Sequence, residues 1–344
     1  MDCVRPEDPG AGVIVRATSQ NELLASYKGK RILVTGGTGF VGANLVGLLK
    51  DADCQIVRIS RSGATAAPLR SCAEIRDVFG DIRERAIWES TLQDSDIVFH
   101  FAAQTSVSAA NENPFADLEI NVLPMVHLLE TCRLKGLQPI VLFAGTVTEW
   151  GIPKCLPVDE THAEEPITIY DLHKLAAENY LKLYVRLGIV AGAVLRLSNV
   201  YGPGPVSSSG DRGVLNAMVR KALKGEALPL YGSGHFVRDY VYVEDIARAF
   251  LMAGARIEHV NGQHFVVGSG HGHTLEDAFN LVAQRVALKT GQQVQVMHIK
   301  PDGPLSPIET RSFVADSSKF IHATGWRPRY SLGAGIDRTV ESYL

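Results

Sequence analysis

The stretch RILVTGGTGFVGANLVGLL, residues 31–49, restricts the possible folds of this chain more than any other segment. An apolar β-branched run meets an amphipathic one there, with Gly36, Gly39 and Gly42 at the join in the spacing G-x-x-G-x-x-G. Glycine at such a join permits a tight strand-to-helix turn and close approach of a ligand to the backbone. The amides opening the following helix, around Phe40 and Val41, then face an anion.

Downstream the pattern repeats: QIVRIS, DIVFHFAA, a helix near Val122 to Leu134, PIVLFAG, a helix around Lys174 to Leu187, and AGAVLRLSNV. Strand, helix and strand in alternation predict an α/β fold with a doubly wound parallel sheet of Rossmann type. Breaker residues cluster at Tyr201 to Gly213 and Gly268 to His273, and the first cluster marks a lobe boundary. The expected organisation is a loose arm over 1–29, a dinucleotide-binding domain over 30–200 and a smaller α/β substrate lobe over 201–344. Residues 241–256 are expected to return to the first domain.

With 34 basic and 37 acidic side chains, the net charge of -3 offers no field for nucleic acid or anionic lipid. No apolar run approaches the ~20 residues that span a bilayer. Five cysteines, scattered and without a C-x-x-C pair, fit a cytoplasmic protein with reduced thiols and no zinc site.

The end of the second strand, about 20 residues past the glycines, is where a carboxylate binds the ribose hydroxyls of NAD. Here that position is Ser60, followed by Arg61. A hydroxyl and a guanidinium suit the extra phosphate of NADP(H), so NADP(H) is expected over NAD(H). Arg61 also reads as an exposed arginine with no role. Asp81 and Ile82 are expected to flank the adenine, although Asp81 reads equally as a loop-capping carboxylate. Ala102 and Ala103 are small enough to let the ribose approach.

Tyr170 and Lys174, at i and i+4 in YDLHK, share one helix face. A nearby ammonium stabilises a phenolate, which is expected to bring the phenol towards the range of proton exchange. Thr146, closing the PIVLFAG strand, is placed to donate to the oxygen that Tyr170 protonates, or to satisfy its own backbone.

The segments TGGTGFVG, HFAAQTSV, Asn121-Val122, YDLHK, RLSNVYGPG and RDYVYVEDIA resemble extended short-chain dehydrogenases that modify nucleotide sugars. Within that superfamily, FAGTVTEWG, DRGVLNAMVRKALKG and ETRSFVADSSKF resemble dTDP-4-dehydro-6-deoxyhexose 4-ketoreductases. The resemblance implies a triad of Thr146, Tyr170 and Lys174, with Asn121 helping to hold Lys174 through water. It also implies substrate contacts from Gln104, Ser106, Asn199, Arg238 and Arg311, and a homodimer paired through helices beginning near Asn121 and Tyr170. Their apolar positions Val122, Leu128, Leu129, Leu175, Leu181 and Leu183 exceed what one buried face needs.

Departures from the pattern narrow the chemistry. Sugar dehydratases carry an Asp-Glu pair after the threonine, and Val147 and Thr148 stand there, so loss of water is not expected. His173 replaces the usual serine before the lysine and reads as a surface or pocket-wall residue. The late R-x-G-D arginine is missing near Pro307, with Arg311 its substitute. The expectation placed first is NADPH-dependent reduction of a C-4 ketone on a nucleoside-diphosphate 4-keto-6-deoxyhexose. The alternatives are an NAD-dependent nucleotide-sugar 4-epimerase and a catalytically silent NADP-binding regulator.

Overall fold

The computed structural model describes residues 19–61, 71–205, 213–301, 303 and 306–344. Six strands, β1 (Arg31–Thr35), β2 (Gln55–Ser60), β3 (Glu74–Phe79), β4 (Ile97–His100), β5 (Ile140–Thr146) and β6 (Ala191–Leu197), lead through the first lobe. They are followed by β7 (Asn199–Tyr201), β8 (Leu228–Tyr231), β9 (Val237–Tyr242), β10 (His264–Val267), β11 (Gly272–Thr274) and β12 (Val296–Ile299). The main sheet is wholly parallel, in the order β10-β6-β5-β4-β1-β2-β3. The order reverses between β1 and β4, and the carboxyl ends of strands at such a switch point form the binding crevice of this architecture. Strands buried on both faces explain why β1 and β4 read as continuous apolar runs.

Helices α1 (Gln20–Ala25), α2 (Phe40–Leu49), α3 (Arg85–Thr91), α4 (Val107–Glu112), α5 (Pro114–Asn121), α6 (Leu123–Lys135) and α7 (Ile169–Arg186) precede the second lobe. Helices α8 (Val214–Leu223), α9 (Val243–Ala255), α10 (Ile257–Val260), α11 (Leu275–Thr290), α12 (Pro307–Thr310), α13 (Ser318–Thr324) and α14 (Leu332–Tyr343) complete the chain. Ile246, Ala247 and Phe250 of α9 share one core with Ile32, Leu45 and Phe99. Leu142, Phe265, Phe320 and Trp326 belong to the same core. The smaller lobe has its own core, built from Leu215, Val219, Phe279, Val282, Ile336 and Val340 of α8, α11 and α14.

Two expectations need correction. The arm is not loose as far as residue 29: Ser19 caps α1, Leu23 and Tyr27 are buried, and the Tyr27 hydroxyl donates to the Leu251 carbonyl at 2.6 Å. Residues 1–18 lie outside the described residues. Most of the expected surplus apolar positions are not spare, because Val122, Leu128, Leu129 and Leu181 fill this chain's own interior. Of the expected positions Leu183 is exposed, together with Leu134 of α6 and Leu172 and Tyr180 of α7, while Phe115 and Leu118 are exposed on the preceding α5. Cys54, Cys72 and Cys132 are free thiols. Among the described residues no helix is long and apolar enough to cross a membrane.

Candidate functional site

The glycine loop is built by close contacts that no side chain could share. Gly36 takes a left-handed φ of 65°, and a Cβ there would meet the Ala102 amide nitrogen at 2.9 Å. A Cβ on Gly42 would lie 2.3 Å from the Gly36 carbonyl oxygen. Gly39 is the N-cap of α2 and offers no capping side chain, so the amides of the first turn, at Phe40 and Val41, are left for an external acceptor. The cradle fits a diphosphate at the switch point. Across it, the Asn44 amide donates to the Pro203 carbonyl at 2.9 Å, joining α2 to the segment that enters the smaller lobe.

β2 ends at Ser60, as the spacing requires, with Arg61 exposed beyond it. Asp81 accepts from the Arg83 backbone amide at 3.0 Å and pairs with its guanidinium at 2.6 Å. Arg83 holds the Asp81 carboxyl below the usual range, with a smaller contribution from Arg61. Ile82 is buried and its carbonyl accepts from the Trp88 indole at 2.7 Å. The Ala102 amide donates to Thr35 Oγ1, which also bonds His100 Nδ1 at 2.7 Å. Burial, and then the Lys174 charge, push His100 down to about 3, so its ring is neutral.

Thr146, Tyr170 and Lys174 come together from two elements and all are buried. β5 delivers Thr146 to the start of a 3-10 turn, Val147–Trp150, where its hydroxyl accepts from the Thr148 amide. Thr168 caps α7, setting Tyr170 and Lys174 in its first two turns. Lys174 Nζ lies 3.9 Å from the Phe143 ring centroid.

The phenol does not behave as expected from its neighbour. Burial pushes the Tyr170 pKa up, helped by the charges of Glu149, Asp171 and Asp117, while the Thr146 side chain, at hydrogen-bonding reach, works in the opposite direction. Lys174 is itself drawn down to about 8 by burial, with Glu149, Glu178 and Asp117 opposing the shift. In the ligand-free chain the phenol is therefore held as a proton donor.

Asn121 makes its direct bonds elsewhere than to Lys174: its amide donates to the Gln104 carbonyl at 3.0 Å and to Asp117 Oδ1 at 2.9 Å. Gln104 spends its own amide on Asp117 and on the Ser106 carbonyl. His173, expected on a surface or pocket wall, is buried with Nδ1 2.8 Å from Asp117 Oδ2. One carboxylate thus ties the loop after β4 to α5 and α7.

Arg238 and Arg311 come together where β9 meets the segment after α12. Arg238 donates to the carbonyls of Val237, Glu309 and Arg311, and Arg311 Nη1 reaches the Gly151 carbonyl at 3.4 Å. Burial and the Arg238 charge lower Arg311 to about 10. Asn199 stands on the adjacent strand, its amide bonded to the Asp239 carbonyl at 3.3 Å.

A buried charged group beneath the triad escaped the sequence reading. Arg196 of β6 pairs with Glu149 at 2.8 Å and with Glu178 at 2.6 Å, and all three side chains are fully buried. The sequence signal was Arg196 alone, a charge within the apolar run AGAVLRL.

Comparison with known proteins places this geometry. Residues 32–268 match the family described as NAD dependent epimerase/dehydratase. A putative UDP-glucose 4-epimerase of Methanocaldococcus jannaschii is 34% identical, covering 90% of this chain and 97% of the relative. The crystal structure of the Thermotoga maritima UDP-glucose 4-epimerase with UDP-glucose superposes with a TM-score of 0.80 at 30% identity, over 91% of this chain and 98% of that one. The Thermus thermophilus UDP-glucose 4-epimerase in complex with NAD gives a TM-score of 0.77 at 31% identity, over the same shares of the two chains. These similarities match the epimerase alternative better than the ketoreductase placed first, and they support a nicotinamide dinucleotide but not the expected preference for NADP.

Proposed function

Because the chain belongs to the NAD dependent epimerase/dehydratase family, we propose that it is a nucleotide-sugar 4-epimerase acting on a UDP-hexose. The observation that carries this reading is the buried meeting of Thr146, Tyr170 and Lys174 in a chain resembling such epimerases over nine-tenths of its length.

The glycine cradle fits a dinucleotide, which Gly36, Gly39 and Gly42 would hold at its diphosphate, Ser60 at the adenosine ribose, and Ala102 and Ala103 alongside. When bound, this group supplies a reversible acceptor for the C-4 hydride. Tyr170 Oη takes the proton of the C-4 hydroxyl in one half-reaction and returns it in the other, so no net proton is consumed. Thr146 Oγ1 bonds the same sugar oxygen, and the Lys174 ammonium bonds a ribose hydroxyl while stabilising the phenolate. Arg238 and Arg311 present two adjacent cations to the substrate diphosphate once their carbonyl contacts are exchanged for phosphate oxygens. Val147 and Thr148 in place of an acid-base pair keep the site from eliminating water.

Ser60 and Arg61 favour a second reading, NADPH-dependent reduction of a 4-keto-6-deoxy sugar nucleotide. One experiment separates the two. Conversion of UDP-galactose to UDP-glucose without consumption of added cofactor supports the epimerase. Stoichiometric NADPH oxidation by a 4-keto sugar nucleotide supports the reductase. Turnover of neither, with dinucleotide still bound, leaves a non-catalytic binding protein.

The exposed Phe115 and Leu118 on α5, Leu172 and Leu183 on α7 and Leu187 just after it support a homodimer through these helices. Light scattering is expected to give twice the chain mass, and Leu172→Glu with Leu183→Glu to give the monomer.

A further inference from the structure

The two elements that carry the triad are joined by a single guanidinium. Glu149 follows Thr146 in the 3-10 turn and accepts its backbone amide at 3.0 Å, while the hydroxyl of Thr146 accepts from the turn, so the two form a capping box. The other oxygen of Glu149 lies 2.8 Å from Arg196 Nε. Arg196 in turn donates to both oxygens of Glu178, at 2.9 and 2.6 Å. Glu178 sits one turn after Lys174 on α7, the helix that carries Tyr170. We propose that Arg196 is a positioning residue, which sets the Thr146 hydroxyl against the Tyr170 phenol by holding Glu149 and Glu178 at once.

The burial of these groups requires a specific role. A guanidinium with no exposure is costly to hold unless its partners are well aligned, and apolar residues would fill the same space at less cost. The two donors of the planar fork, Nε and Nη2, both go to Glu178, Nη2 also meets Glu164, and Nε stands beside the Glu149 oxygen as an ion pair, a set of directions that a lysine cannot reproduce. Its Cζ also lies 4.5 Å from the Trp150 ring centroid, which fixes the plane of the fork from the turn that holds Thr146. Glu164, Glu178 and His264 lie close enough to share a metal ion, but Arg196 and Lys182 supply the cations there. Glu178 is held down near 2, chiefly by Arg196 against the effect of burial, whereas burial and Glu178 push Glu149 well up. The cation is therefore shared unequally, and the weaker hold is on the turn.

The inference rests on the proposed reading of the triad, and its test is Arg196→Lys, alone and combined with Thr146→Val. The lysine keeps the buried charge but reaches only one carboxylate. Turnover is expected to fall about ten- to a hundredfold, with KM for the sugar nucleotide and dinucleotide affinity within about twofold of the parent. The double variant is expected to be no slower than Thr146→Val alone, because both changes remove the same alignment. Undiminished turnover, or losses that multiply in full, overturn the proposal. If Arg196→Lys does not fold, Glu149→Gln carries the same cycle: its amide group still accepts from Thr146 but breaks the link to Arg196. A wild-type protein inactive on both substrate types defeats the proposed function instead. The positioning claim is then read from the variant's crystal structure, in which the Thr146 hydroxyl is expected to have moved away from Tyr170 Oη, and an unmoved hydroxyl refutes it.

Discussion

Lys174 holds its ammonium over the face of Phe143, a β5 ring that also stacks on His100 with centroids 5.6 Å apart. Burial brings this ammonium down to about 8. A base with a depressed pKa loses its proton as the pH rises through that value, so the hydrogen bonds it offers a ribose are present below pH 8 and lost above it. Dinucleotide affinity of the ligand-free protein is expected to fall about tenfold between pH 7 and 9. Lys174→Met should bind weakly and show no such slope. Titration calorimetry at both pH values checks this, and a flat wild-type profile counts against it.

Tyr170→Phe is expected to lower turnover by roughly 10²–10⁴-fold with cofactor affinity nearly unchanged, since the ring still fills its place. Thr146→Val removes one neutral hydrogen bond and should cost less, about ten- to a hundredfold. Steady-state rates on UDP-galactose give the order, and a reversed order would exchange the two assignments.

Two glycines of α2 should respond in opposite ways to alanine. At Gly42 the added methyl would sit 2.3 Å from the Gly36 carbonyl, and the loop has to open to admit it. Dinucleotide binding should weaken by more than about tenfold, with a lower Tm. At Gly47 a Cβ meets nothing within 4 Å, so alanine should raise stability by about 0.5–1 kcal/mol through helix propensity. Thermal melts and cofactor titration of the two variants make the comparison.

Arg61→Asp tests the end of β2. A carboxylate there repels a 2′-phosphate and accepts ribose hydroxyls, so the ratio of NADP to NAD affinity should drop by about tenfold or more. An unchanged ratio would mean that the guanidinium faces solvent and that Ser60 alone meets the ribose.

Local signals carried much of this molecule into view. The glycine loop, the strand ending at Ser60 and the i, i+4 pair of Tyr170 and Lys174 depend on residues near one another in sequence, where turn chemistry and helix periodicity operate. The link of Arg196 to Glu149 and Glu178 joins three elements, and no periodicity reports which buried charges meet. The same limit explains Asn121, whose amide turned out to serve Gln104 and Asp117. The upward shift of Tyr170 was hidden for another reason: a sequence names the neighbouring ammonium but not the water that folding removes. The apolar positions of α6 and α7 were equally visible in sequence, but how many of them the sheet would cover was not.

The core that Leu23 and Tyr27 help to build also contains Phe320 and Trp326, whose indole donates to the Asp245 carbonyl at 2.9 Å. On the ribosome, at roughly 5–20 residues per second, the nascent first lobe therefore waits many seconds for side chains encoded well after its sixth strand. During that interval β6 lacks its edge partner β10, and the apolar faces of α9 and the sheet have no Trp326 to close them. A stalled or truncated product would expose this unfinished core and an unpaired strand edge, and should be captured by chaperones or degraded rather than persist as a separate cofactor-binding domain.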